Sequence, residues 1–128
     1  MILLDTHVWL WWIHNPIKLS QKALRAIEKE ESLGVSVISC WEVAMLIEKG
    51  RLSLDRDVEE WVQKALSFPK IFALELTPEI AVLSTRLPGK LHQDPADRFL
   101  VATAKKHSCQ LVTKDERLIE YPHVETIW

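Results

Sequence analysis

His92-Gln93-Asp94-Pro95-Ala96-Asp97-Arg98-Phe99-Leu100-Val101-Ala102-Thr103-Ala104 is the stretch whose reading decides the rest. It has the grammar of a helix start. Asp94 offers an N-cap oxygen, Pro95 suits the first helical position, and a second carboxylate follows at the third. At roughly 100° per residue, Asp97, Leu100, Val101 and Ala104 fall on one stripe, and only the first is polar. A carboxylate heading an apolar stripe is partly desolvated, which is costly unless something cationic compensates. Capping explains Asp94 as readily as a role in a site does; it does not account for the direction of Asp97. Arg98 projects about 100° away and is not an obvious partner by helical spacing.

Outward from this helix, short apolar runs alternate with helical patterns. Residues 1–4, 35–39, 71–76, 110–113 and 124–127 read as strands. Residues 6–14 read as a helix stopped by Asn15-Pro16. Residues 20–31 form an amphipathic helix capped by Ser20, with Ala23, Leu24 and Ile27 inward. Further helices cover residues 40–49, ending at Gly50, and residues 57–67 and 78–87, with a helical turn over 115–120. Such alternation predicts an α/β fold of three layers, a central and mainly parallel sheet of four to five strands flanked by helices.

Ligands of such sheets bind beyond the carboxyl ends of the strands. Asp5 ends the first strand, and Asp115 lies two residues past the fourth. Glu42 sits just inside the helix after the second strand, and shares a face with Met45 and Leu46 as Asp97 does with its apolar neighbours. All four acids therefore fall at one edge of the sheet. Two carboxylates about 4 Å apart repel by roughly 4 kcal/mol at an effective dielectric near 20. A cluster relieves this by taking up protons or by binding a cation. An all-oxygen donor set favours Mg²⁺ or Mn²⁺, and magnesium's liking for phosphate oxygens points to a phosphate ester as substrate. A cation there would activate water for in-line attack and stabilise the developing charge.

The totals are consistent with this. A chain of 128 residues, 48% hydrophobic and 27% charged, suits a single domain over residues 1–128. The longest apolar run, residues 8–13, is too short to span a bilayer, and no basic segment precedes it to make a signal peptide. Cys40 and Cys109 lack metal-ligand or disulfide spacing, so a cytoplasmic location is expected. A net charge of −2 excludes a chain-wide electrostatic nucleic-acid binder and leaves only a local basic patch. Lys18, Lys22, Arg25 and Lys29 alternate with Glu28, Glu30 and Glu31, which reads as a solvated helix face. Five histidines are scattered without metal spacing, and His92 alone lies near the proposed site. Among Trp9, Trp11 and Trp12, burial or a protein interface is favoured over base stacking. Trp9 and Trp12 share a face with Ile13, which suggests an interaction surface on this helix.

Four motifs in order, Leu3-Leu4-Asp5-Thr6, Ser36-Val37-Ile38-Ser39 with Glu42, Asp94-Pro95-Ala96-Asp97-Arg98 and Leu111-Val112-Thr113-Lys114-Asp115, resemble PIN domains. They look most like the VapC-type ribonuclease toxins of prokaryotic toxin–antitoxin pairs. The resemblance spans almost the whole chain, and it is the order and gaps of the motifs that make it specific. It implies a PIN-like fold and a metal-dependent endoribonuclease, often dimeric, held inactive by a co-expressed antitoxin. RNA, an antitoxin and a second copy of the chain are thus the implied partners, with no membrane. The family's acidic quartet carries over onto Asp5, Glu42, Asp97 and Asp115. Asp5 and Asp97 would be the core ligands of Mg²⁺ or Mn²⁺, with Asp115 and Glu42 completing the site directly or through water. Thr6 and Thr113 match positions where a hydroxyl orients a carboxylate or holds water. Asp94 and Asp97 both suit the third acid, and the apolar stripe favours Asp97. Arg98 is left between a phosphate contact and a salt bridge to Asp94.

Rival readings fail at named positions. A haloacid-dehalogenase-like phosphatase needs a second acid where His7 stands, and a receiver domain needs an aspartate where Thr77 follows the third strand. A silent PIN-like module that binds RNA or protein, and a nuclease without an antitoxin, remain as alternatives.

Overall fold

In the computed structural model, which describes residues 1–128, β1 (Ile2–Leu4) is the axis of the molecule. It is buried on both faces and pairs in parallel with β2 (Leu33–Ser36) on one side and β4 (Leu111–Val112) on the other. β3 (Ile71–Leu74) extends the sheet beyond β2, and β5 (Thr126–Ile127) extends it beyond β4. The order is β3-β2-β1-β4-β5, and every pair is parallel. The chain therefore winds away from β1 in one direction, then returns and continues in the other. Between β1 and β4 it has its topological switch point, where an open parallel sheet leaves a crevice at its carboxyl edge.

The pleat sends alternate side chains into two separate cores. Ile2, Leu4, Val35, Val112 and Ile127 face one layer, formed chiefly by α1 (Thr6–His14), α2 (Gln21–Lys29) and α4 (Val58–Leu66). Leu3, Leu74 and Leu111 face the other, where α5 (Pro78–Ser84), α6 (Pro95–Lys106) and the short α7 (Glu116–Ile119) pack. α3 (Val37–Glu48) contributes Val43 to the first core and Ile38 to the second, and contacts both α1 and α6. Three layers and a five-stranded sheet are the predicted arrangement.

The element boundaries differ where side-chain capping overrides local propensity. The β-branched run 35–39 predicts a strand and a helix from residue 40, yet the strand stops at Ser36 and α3 begins at Val37. Ser36 Oγ accepts the Ile38 N–H at 3.1 Å, so the strand's last residue is already the helix cap. Glu42 consequently sits in the second turn of α3 rather than at its start. β3, β4 and β5 and α5 are all shorter than their apolar patterns suggest. α6 is buried on more than one stripe, because the small residues Ala96 and Ala102, and Thr103, allow close approach on further sides.

On the tryptophan-rich face of α1, Trp9 belongs to the core, and Trp12 and Ile13 are partly buried within the chain. Trp9 is fully buried and packs on Trp61 with ring centres 5.0 Å apart. Trp12 meets Phe68 edge-on, and Ile13 packs against the same core. This face closes α1 onto α4, which no helical-wheel argument on α1 alone can distinguish from a partner surface.

Candidate active site

Asp5, Asp97 and Asp115 are delivered by the ends of regular elements, and Glu42 by the second turn of α3. Asp5 follows β1 and caps α1, its Oδ1 accepting the Thr6 N–H at 2.7 Å. Its Oδ2 accepts the Thr113 hydroxyl at 2.6 Å, a bond that crosses the switch point from β1 to the residue after β4. Thr113 Oγ1 also accepts the Asp115 N–H at 3.0 Å, so one hydroxyl positions two acids. On the β2 side, Thr6 Oγ1 lies 2.6 Å from Glu42 Oε1 and 2.8 Å from Ser39 Oγ. A hydroxyl has one proton. With Glu42 ionised it goes to the carboxylate, and the fully buried Ser39 donates to Thr6 in turn.

At the start of α6, Asp94 and Asp97 separate. Asp94 is exposed, and its Oδ1 accepts the Asp97 N–H at 3.1 Å as an N-cap. Asp97 is only 8% exposed, as is Asp5. Asp97 Oδ2 is 2.6 Å from His92 Nε2 and 3.5 Å from the Arg117 guanidinium, whereas Oδ1 has no protein donor. Asp115 caps α7 through the Arg117 N–H at 2.9 Å, and the Arg117 side chain returns to both its oxygens at 3.3 and 3.0 Å. Ligand atoms of His92, Asp97 and Asp115 lie within 4.8 Å of one another.

Asp5, Glu42, Asp94, Asp97 and Asp115 thus line one cleft of about 520 Å³. Arg98 does not form the expected salt bridge to Asp94 and is not among the residues lining this cleft; its guanidinium donates to the carbonyls of Ser84, Leu91 and His92 at 2.9, 3.0 and 3.4 Å. It ties the loop before α6 to the end of α5, because the carbonyls left open there need donors. Arg117, Ser39 and the contact made by His92 were not legible as site features. Arg117 shares no helical spacing with Asp97, and its link to Asp115 is a two-residue capping geometry rather than a side-chain motif.

The electrostatics follow burial. Desolvation pushes the Asp5 carboxyl up despite the Thr113 and Thr6 hydrogen bonds that pull the other way. Desolvation likewise raises Asp97 against the His92 contact, with the Asp5, Asp94 and Asp115 charges adding to the rise. Glu42 is pushed up to about 7, by burial first and then by the charges of Asp5, Asp97 and Asp94, with the Thr6 hydroxyl opposing. For Asp115 burial also acts upward, but Arg117's hydrogen bonds and charge together hold it below the usual range. Three carboxyls that resist ionisation within one cleft are a site in need of positive charge, which Arg117 and His92 supply only at one side.

The donor set fits a hard divalent ion. It is dominated by carboxylate oxygens, two of the carboxylates, Asp5 and Glu42, being oriented from behind by hydroxyls, and Asp97 Oδ1 and Glu42 Oε2 are without protein donors.

A three-layer parallel sheet with acids gathered at its switch point is the arrangement of a PIN domain, and the chain belongs to that family: the PIN domain model matches residues 2–124. It is 40% identical over 129 residues to Ribonuclease VapC22 of Mycobacterium tuberculosis, spanning 99% of this chain and 98% of that protein. Its fold is also that of a toxin–antitoxin complex from Klebsiella pneumoniae (TM-score 0.68, 21% identity, 97% of this chain and 95% of that one). VapBC2 from Rickettsia felis, bound to a DNA fragment from its promoter, superposes with a TM-score of 0.71 at 15% identity, over 98% of this chain and 97% of that one.

Proposed function

We propose that this chain is a divalent-metal-dependent endoribonuclease that hydrolyses RNA phosphodiester bonds as the toxin of a toxin–antitoxin pair. Its relative of 40% identity is a ribonuclease by name, and its structural neighbours were solved as toxin–antitoxin assemblies. The observation that carries the reading is the Thr113–Asp5 hydrogen bond across the switch point, with Glu42, Asp97 and Asp115 lining the same cleft.

In this reading residues 1–128 act as one PIN domain in the cytoplasm, pairing as a homodimer and silenced by an antitoxin that covers the cleft. No helix is long and apolar enough to cross a membrane. Asp5 and Asp97 would be the principal ligands of Mg²⁺ or Mn²⁺, with Asp115 and Glu42 completing the site directly or through water. When bound, the ion supplies positive charge to the phosphate oxygens and makes water a better nucleophile. Thr113 and Thr6 fix the rotamers of Asp5 and Glu42, so the carboxylates do not reorganise during the reaction. In the metal-free cleft burial pushes the Glu42 carboxyl up to about 7, so its proton would have to leave before it could join the shell of the ion. His92 fixes Asp97 through Oδ2 and leaves Oδ1 for the ion. Asp94 caps the helix that carries Asp97, and Arg98 holds the loop before it; neither touches substrate.

A silent binding module is disfavoured by the raised carboxyls, since burying three acids together is a cost that partner binding does not require. Incubation of the purified chain with labelled RNA tests the proposal. Cleavage in Mg²⁺ or Mn²⁺ that EDTA abolishes is expected; RNA left intact under all divalent conditions contradicts it.

A further inference from the structure

The acidic cleft raises a difficulty for its own substrate. Single-stranded RNA carries a negative charge at each phosphate, and the cleft lining is mostly carboxylate. Of the cations there, Arg117 is committed to Asp115 and Asp97. Lys114 is different: it makes no ion pair and no side-chain hydrogen bond, and its Nζ lies 5.7 Å from the centre of the Trp11 ring. Lys18, from the turn after α1, places its own Nζ 5.9 Å from the same ring and is equally free of carboxylates.

Trp11 is the one tryptophan of its helix that reaches the cleft. Trp9 and Trp12 are taken up in packing against Trp61 and Phe68. Trp11 is half-buried, and its aromatic neighbours are tilted, His7 by 50° and Trp128 by 53°, so no protein ring lies flat upon it. Its closest cationic company is therefore two flexible lysine side chains. An exposed ammonium–indole contact is weaker than stacking of a nucleobase on an aromatic ring. A base can accordingly displace an ammonium from the ring, and the freed lysine is then within reach of the phosphate beside that base.

We propose that Trp11, Lys114 and Lys18 form a nucleotide subsite for single-stranded RNA adjoining the acidic cluster. One base stacks on the indole, and the two ammonium groups hold the flanking phosphates. This rests on the endoribonuclease reading and adds to it where the strand lies and why it is single: a base paired within a duplex has no face to offer. The sequence favours burial or a protein interface over base stacking for the three tryptophans of α1; Trp11 is the one that the fold brings to the cleft, beside Lys114, which follows β4.

Fluorescence anisotropy in EDTA at low salt, with the full chain, tests the subsite on a short labelled RNA and on an abasic ribose-phosphate strand of equal length. The wild-type chain is expected to prefer the RNA with bases by about tenfold. Trp11→Ala should bring that ratio close to one, while Trp11→Phe keeps most of it. Lys114→Gln should weaken both ligands alike and reduce the slope of log affinity against log salt by about 0.7. A wild-type ratio of one, or a ratio unchanged in folded Trp11→Ala, overturns the proposal. Should Trp11→Ala fail to fold by circular dichroism, an unaltered salt slope in Lys114→Gln overturns it instead. Cleavage of the same RNA in Mn²⁺ is scored separately: cleavage without base preference sinks the subsite alone, and base preference without cleavage sinks the nuclease reading alone.

Discussion

The starts of α1 and α4 are built from the same local chemistry and do different things. Asp5 caps α1 and Asp57 caps α4, each accepting a backbone N–H from the first helical turn, at 2.7 and 3.0 Å. Asp57 stands in solvent, and its one side-chain hydrogen bond is the cap itself. Asp5 follows a fully buried strand at the switch point, so its cap is desolvated, held by Thr113 from behind and surrounded by further acids. An aspartate at a helix start is thus a cap by default. It becomes part of a site only when a parallel sheet brings other strand ends to the same place.

Several measurements would break or sharpen this contrast. The largest effect is expected from Asp97→Asn or Asp5→Asn, which should lower metal-dependent cleavage on the order of a thousandfold, comparable to loss of a main electrostatic stabiliser. Both variants should remain folded, since removing clustered charge relieves repulsion. Asp94→Asn is expected to cleave nearly as wild type, because asparagine also caps. An inactive Asp94→Asn beside a fully active Asp97→Asn would reverse the assignment of the third acid.

Thr113→Val comes next. It keeps the side-chain shape but removes the donor to Asp5 and the acceptor for the Asp115 N–H. Titration calorimetry with Mn²⁺ should register a loss in affinity of roughly 10–100-fold, the usual cost of deleting a group that orients a ligand. Unaltered affinity would mean that Asp5 is held well enough by the Thr6 N–H alone.

The pH dependence concerns Glu42. Its folded carboxyl, pushed up to about 7 from 4.5, binds its proton more tightly than the unfolded chain does. Its contribution to stability is therefore full below about pH 4.5 and is lost as pH rises through about 7. In metal-free protein the urea midpoint should fall across that window, and Glu42→Gln should flatten the fall. Metal binding should strengthen over the same range, as the proton leaves. A wild-type midpoint that climbs steadily from pH 5 to 8, with Glu42→Gln no different, would remove Glu42 from the coupled cluster.

The smallest effect belongs to the solvated cap. Asp57→Ala should cost about 1 kcal/mol of stability, read from the denaturation midpoint, and leave cleavage as it is. A loss of cleavage there would tie α4 to the site, against the contrast drawn above.

What the sequence makes legible follows the same division. The strand ends, the helix starts and the apolar stripe beneath Asp97 are local patterns, so the layers and the four acids can be read from the chain. Arg117 and Ser39 act through contacts that have no fixed spacing, so they become visible only in three dimensions. Arg98 misleads for a related reason: beside two aspartates its charge suggests a role in binding, yet the open carbonyls of the preceding loop claim it first. Trp9 and Trp11 sit two positions apart on one helix, and only the assembled sheet decides that one is core and the other lines the cleft.

The most direct test of the account is anomalous diffraction from crystals of the chain soaked in Mn²⁺. A manganese peak between the carboxylates of Asp5 and Asp97, gone in Asp97→Asn, is the predicted result. A peak at other residues only, or none at saturating metal, would contradict the claim that these acids are gathered to hold a hard cation.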